Sequence, residues 1–208
     1  MDYASSMCKA CWFNDLVSFA VAWNQLPHRD LTNIFFNEAS KTLKIVQVSG
    51  LPCRITGMSM FQSAVKPEWE DPVNKNGGQF QINFKSNLPF LQKIWDKLVF
   101  SIVSSEFVDA DMISGIRLLD KSAFGRESMF RIEIWTKFNS ESVAMVNDLR
   151  THLEQEYIML MIADEGTKPL KRVEDAQNPT CWVENFKNLS GDDNRAPPRG
   201  PPGGRSHQ

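Results

Sequence analysis

Glu68-Trp69-Glu70-Asp71-Pro72-Val73-Asn74-Lys75-Asn76-Gly77-Gly78-Gln79-Phe80 is the stretch that decides how this chain is read. A large aromatic stands beside a carboxylate. A polar turn with two glycines follows, and an alternating strand from Gln79 to Phe84 begins directly after it. An indole offers a flat face for stacking. A carboxylate next to it accepts hydrogen bonds from two adjacent N–H groups, the pattern that guanine presents on its Watson–Crick edge. Trp23 and Trp135 flank the segment at a distance and are candidates for completing an aromatic slot.

Working outward, the chain of 208 residues is long enough for one domain with a well-formed core. Its net charge of −2 argues against a general nucleic-acid coat, which needs a broad basic surface, and leaves room for a small basic patch beside a specific pocket. No run reaches the length of uncharged apolar residues that a membrane helix needs, and the beginning of the chain lacks a basic segment followed by an apolar one, so neither a membrane nor secretion is expected. Cys8, Cys11, Cys53 and Cys181 fit a reducing compartment. Cys8 and Cys11 form a C-x-x-C pair, but no second pair or suitably spaced histidines accompany it, so no metal or other cofactor is expected.

The hydrophobic pattern gives an α+β domain. Residues 1–9 are expected to be flexible, residues 10–189 to form the domain, and residues 190–208, dominated by Pro, Gly and Arg, to be a disordered tail. Ala10 to Asn14 reads as a short strand, Asp15 to Pro27 as a loop or strand edge carrying Trp23, and Leu31 to Phe36 as a strand. Asn37 is a good N-cap for a helix through about Val48, and Gly50, Pro52 and Gly57 punctuate a loop. Asn87 with Pro89 opens a second helix, whose apolar residues run from Phe90 to Ile102 at helical spacing. Met112 to Leu119 and Phe130 to Thr136 read as strands, Ser140 as the cap of a third helix ending near Leu153, and Tyr157 to Ala163 as a final strand.

Trp69-Glu70-Asp71, followed in register by Asn74, Lys75, Gly77, Gly78 and an aromatic, resembles the signature of the translation initiation factor 4E family, whose members bind the 7-methylguanosine cap of messenger RNA. The likeness extends from about Trp12 to about Ala163, strong at the signature and thin elsewhere. It implies a curved antiparallel β-sheet with three helices on its convex face and the cap slot on its concave face. It also implies a monomeric, cytoplasmic, non-enzymatic protein that recruits capped mRNA to translation through a 4G-like scaffold partner.

Carried over residue by residue, the resemblance makes Trp69 one slice of an aromatic sandwich, Glu70 the guanine reader, Trp23 the second slice, and Trp135 the residue near the N7 methyl. Methylation at N7 gives the base a positive charge, so an indole gains cation–π attraction as well as stacking. Stacking contributes roughly 1–3 kcal/mol per face and the carboxylate roughly 1.5–3. After the costs of association this gives about −8 kcal/mol, or about micromolar. Lys121, Arg126 and Arg131 are the candidates for the cap phosphates. On the convex face the family's anchoring Trp is replaced by Leu43 or Ser40, and its Trp-Leu-Glu run by Trp95-Asp96-Lys97. An altered partner mode is therefore implied: either a partner that uses Leu43, Lys97 and Phe100 and sets an acidic residue against Lys97, or a contact elsewhere on the domain.

Three other readings compete. A general single-strand RNA binder would want a wider basic surface. An enzyme would want a Cys-His, Ser-His or metal-ligand cluster, which His28, His152 and His207 do not supply. A cap-binding paralogue that represses translation or serves another mRNA pathway has the same sequence signature.

Overall fold

The structure is a computed structural model that describes residues 7–26, 29–35, 45–48, 51–85, 88–122, 129–158 and 181–185. Its centre is a five-stranded antiparallel sheet. The strands are β3 (Gly57–Phe61), β4 (Gly78–Lys85), β5 (Ile113–Asp120), β6 (Met129–Thr136) and β7 (Cys181–Asn185), in the spatial order β3-β5-β6-β4-β7. Two shorter strands, β1 (Val46–Val48) and β2 (Leu51–Cys53), pair as a separate hairpin.

Period-two alternation sorts the sheet into two faces. Phe80 and Ile82 of β4, Ile116 and Leu118 of β5, and Phe130, Ile132 and Ile134 of β6 turn to one side and join a single apolar core. That side is covered by helices. α2 (Leu88–Val103) buries Phe90, Leu91, Ile94, Trp95, Leu98 and Val99, and α3 (Val143–Leu153) buries Val146, Leu149 and Leu153. Burying side chains of this size contributes roughly 1.5–3 kcal/mol each, which fixes which face of every strand is left over for other work.

α1 (Leu16–Gln25) completes the helical layer. Asp15 starts it: its side chain accepts from the Ser18 backbone N–H at 2.7 Å, and the Ser18 hydroxyl reaches back to the Asp15 N–H at 3.3 Å, a reciprocal capping box. Phe19 and Trp23, one helical turn apart, both lie against Phe100 of α2, with ring centroids 5.3 and 5.6 Å from it. The loop or strand edge expected over Asp15 to Pro27 is thus a helix, because the cap and the i, i+4 aromatic pair outweigh the β-leaning composition.

Other elements also differ. Ala10 to Asn14 carries no strand. Leu31–Asn33 is a turn of 3₁₀ helix capped by Asp30 rather than a strand. The helix expected from Asn37 to Val48 ends in residues that instead pair as β1, where Val46 and Val48 are β-branched; Asn37 to Lys44 lie outside the described residues. The third helix begins after Ser142 rather than Ser140. Tyr157, expected to open a strand, lies in a π-helical turn (Glu154–Ile158) that prolongs α3, and residues beyond it are outside the described set. It is 2% exposed, and its hydroxyl lies 2.7 Å from the Ser101 hydroxyl on α2. The tail at 190–208 also lies outside the described residues.

The segment between β3 and β4 holds the opening stretch as a series of tight turns. Asp71 accepts from the backbone N–H groups of Lys66 at 3.0 Å and Val73 at 2.9 Å. Asn74 is fully buried and donates from one amide nitrogen to the carbonyls of Lys66 and Glu68, both at 2.9 Å. Gly77 then donates to the Asn74 carbonyl at 2.7 Å, at a place where any Cβ would run into the Thr136 carbonyl. Asp71, Asn74 and Gly77 therefore build the turn, and Trp69 and Glu70 are what it displays.

Two outcomes follow for stability. Asn74→Ala removes the buried amide that ties the Lys66 and Glu68 carbonyls together and should cost about 2 kcal/mol in urea unfolding. Tyr157→Phe should cost about 1 kcal/mol, because it removes one buried hydroxyl contact while keeping the ring; no change would mean that the end of α3 is not held by α2.

Candidate functional site

The face of the sheet away from the helices is organised in rows. At one end Phe61 of β3, Gly115 of β5, Trp135 of β6 and Gln79 of β4 lie opposite one another across the strands. Two residues along, the row is Ser59, Arg117, Glu133 and Gln81; two further, it is Gly57, Leu119, Arg131 and Asn83. Successive rows are about 7 Å apart, since each residue advances about 3.3 Å. The face thus grades from aromatic, through mixed charge, to cationic.

The aromatic end is where the displayed pair belongs. The 62–77 segment leaves β3 after Phe61 and enters β4 at Gly78, whose strand partner is Thr136, next to Trp135. Trp69 is 40% exposed and Glu70 is exposed, so the indole face and the carboxylate are both open to a ligand. Trp135 is 2% exposed yet stands outside the apolar core, because side chains of its own face pack over it. Phe61 packs edge-on against it with centroids 5.2 Å apart, and the Arg117 guanidinium lies over it at 5.6 Å. Gly115 permits this: a Cβ there would collide with the Phe61 ring.

The middle row is an ionic network. Glu133, 5% exposed, accepts from the Trp135 indole N–H at 3.3 Å. Its two oxygens face Arg117 Nη1 at 3.4 Å and Arg131 Nη1 at 3.9 Å. Arg131 also donates from Nε to Asn83 at 3.1 Å. Lys121 follows β5 and closes the cationic end, its backbone N–H donating to the Met129 carbonyl at 2.8 Å. Burial, and then the positive charges of Arg131 and Arg117, lower the Lys121 pKa below the usual lysine range, while Glu133 acts in the opposite direction. Three cations and one buried carboxylate therefore share one field. Asp120 caps the strand end, paired with Arg54 at 2.5 Å.

The sequence-predicted residues divide accordingly. Trp135 stands at one end of the open face and Lys121 and Arg131 towards the other; Trp69 and Glu70 are carried by the segment that joins β3 to β4 at the Trp135 end of the sheet. Trp23 is not brought to them. It is half-buried on α1 among Phe19 and Phe100, in the helical layer on the opposite side of the sheet, so it does not form a second slice with Trp69. Arg126, and Leu43 with Ser40, lie outside the described residues. Phe100 is 46% exposed beside α1. Lys97 is already engaged within the chain: its ammonium donates to Glu156 Oε2 at 3.0 Å and lies over the Tyr157 ring at 4.9 Å, so no acidic group from a partner is needed there.

Two residues of the open face went unread in the sequence, Arg117 and Glu133. Each is a charge flanked by core-directed neighbours, in Ile116-Arg117-Leu118 and Ile132-Glu133-Ile134. That pattern places each on an open face, but only the strand register sets them opposite one another.

Comparison with known proteins supplies the family. The family model described as eukaryotic initiation factor 4E matches residues 1–171. Among curated relatives, the translation initiation factor NCBP of Triticum aestivum is 28% identical over 120 residues, covering 56% of this chain and 48% of that protein. Translation initiation factor 4E-4 of Caenorhabditis elegans is 28% identical over 138 residues, covering 66% and 60% respectively. The chain thus spans about half the length of the curated relatives it matches. Among solved structures, a complex of C. elegans eIF4E-3 with the 4E-binding protein Mextli and a cap analog superposes with a TM-score of 0.54 at 15% identity, covering 91% of this chain and 85% of that one. The antiparallel sheet with three helices on one face is that structure's fold, and with the model match over most of its length the chain belongs to the eukaryotic initiation factor 4E family.

Proposed function

We propose that this chain binds the 7-methylguanosine cap of mRNA, without catalysis, and acts in the cytoplasm in translation initiation. The observation that carries the reading is the exposed Trp69–Glu70 pair, held by Asp71 and Asn74 on a turn beside Trp135. Trp69 stacks on the cationic base, and Glu70 accepts from its Watson–Crick edge. Lys121 and Arg131 stand along the same face for the phosphates, and Arg126, between them in the sequence but outside the described residues, is kept as a third candidate. Relatives named as initiation factors, and a fold shared with a cap-analog complex, support the same assignment.

Trp23 has no part in this site, so stacking rests on Trp69. With one indole face instead of two, the gain falls by roughly 1–3 kcal/mol, and a Kd of about tens of micromolar is expected rather than about one micromolar. The partner reading changes as well. A groove of about 900 Å³ runs along α1, lined in part by Trp12, Val17, Val21 and Leu26. Val17, Val21 and Phe100 are exposed, so a 4G-like scaffold would be held by apolar contacts on α1 and α2 rather than by a charge on Lys97. The monomeric chain would present the cap site and this surface on opposite sides of the sheet.

Retention on a cap-analogue resin, followed by fluorescence titration, tests the proposal. Trp69→Ala and Glu70→Ala should each weaken cap binding at least tenfold, since each removes roughly 2 kcal/mol of interaction. Trp23→Ala should lower thermal stability, through loss of its packing on Phe100, and leave cap Kd within twofold. Wild-type binding unaffected by Trp69→Ala and Glu70→Ala would refute the assignment.

A further inference from the structure

Glu133 is a buried carboxylate placed where a phosphate-binding face would be expected to be purely cationic. It is 5% exposed, and it faces Arg117 at 3.4 Å and Arg131 at 3.9 Å while accepting from the Trp135 indole at 3.3 Å. We propose that Glu133 is a specificity-determining residue: an internal anion that partly satisfies Arg117 and Arg131, so that the phosphate chain of a ligand contributes less to binding and the base contributes more. The inference rests on the cap-binding reading for the nature of the base, and on the network alone for the phosphate side.

The physical argument is one of shared charge. Arg117, Arg131 and Lys121 lie close enough for the two guanidinium groups to depress the lysine, and Glu133 relieves that repulsion. A phosphate arriving at the cationic end meets cations already partly neutralised, and it is itself repelled by the carboxylate. An unmethylated nucleoside triphosphate, which brings the phosphates but lacks the cationic base, is therefore the ligand that Glu133 penalises. A methylated base keeps its stacking on Trp69, which lies beyond the network on its own turn. Glu133 also fixes the indole of Trp135 through its N–H, which ties the aromatic end of the face to the charged middle.

Glu133→Gln separates the two roles, because the amide keeps an oxygen to accept from Trp135 and loses the charge. Three probes are titrated at low and high salt: sodium tripolyphosphate, 7-methylguanosine, and 7-methylguanosine triphosphate. In Glu133→Gln, tripolyphosphate and the nucleoside triphosphate should bind about tenfold more tightly at low salt, with a steeper salt dependence. The nucleoside should change less than twofold. Arg117→Gln should act in the opposite direction on tripolyphosphate, which provides a second reading if Glu133→Gln fails to fold. Tripolyphosphate affinity unchanged in both variants, or a nucleoside affinity that rises as much as the triphosphate's, would overturn the proposal. A wild type that ignores 7-methylguanosine, with tripolyphosphate still responding to Glu133→Gln, would remove the cap reading and keep the role of Glu133.

Discussion

Burial of Phe130, Ile132 and Ile134 against the helical layer is the constraint on which the rest of the open face depends. These three alternate along β6 with Arg131, Glu133 and Trp135, so committing one set to the core commits the other to the opposite side. The same alternation in β4 and β5 sends Phe80, Ile82, Ile116 and Leu118 inward, and leaves Gln79, Gln81, Asn83 and Arg117 outside. A slip of one residue in register would move every charge into the core and every core residue to the surface. The functional face is in this sense a by-product of the packing on α2 and α3, and it is as rigid as that packing.

The displayed pair is set by a second, local constraint. The Asp71 carboxylate and the Asn74 amide nitrogen bond the backbone of their own turn, and Gly77 passes the Thr136 carbonyl where no side chain fits. This divides the labour of one short motif. Trp69 and Glu70 stay exposed, and their neighbours hold them in position. The turn is thus preorganised before any ligand arrives, which lowers the cost of ordering it on binding.

What was legible in the sequence follows from these constraints. Helix α2 and strands β4, β5 and β6 were readable because their apolar periodicity is strong and uninterrupted. The turn at 68–78 was readable because Asn, Asp and Gly there serve a local purpose. α1 was misread because Leu16 to Trp23 is apolar without clear amphipathicity; its identity lies in the Asp15–Ser18 cap and in contacts with Phe100, far away in sequence. Trp23 enters the cap slot only through the resemblance, whereas its packing on Phe19 and Phe100 is set by α1 and α2, elements that the sequence does not show side by side. The Arg117–Glu133 pair was illegible, since it exists only in the register of β5 against β6. Tyr157 was read from its β-forming composition, yet its ring and hydroxyl are held by α2 through Ser101.

The central claim is that Trp69, and not Trp23, takes the methylated base. Indole N–H resonances of isotope-labelled protein report on each tryptophan separately, so titration with 7-methylguanosine triphosphate followed by NMR is the most direct measurement. The Trp69 indole signal should shift strongly, the Trp135 signal more weakly, and the Trp23 signal should stay in place. A strong shift at Trp23 with Trp69 unmoved would contradict the account.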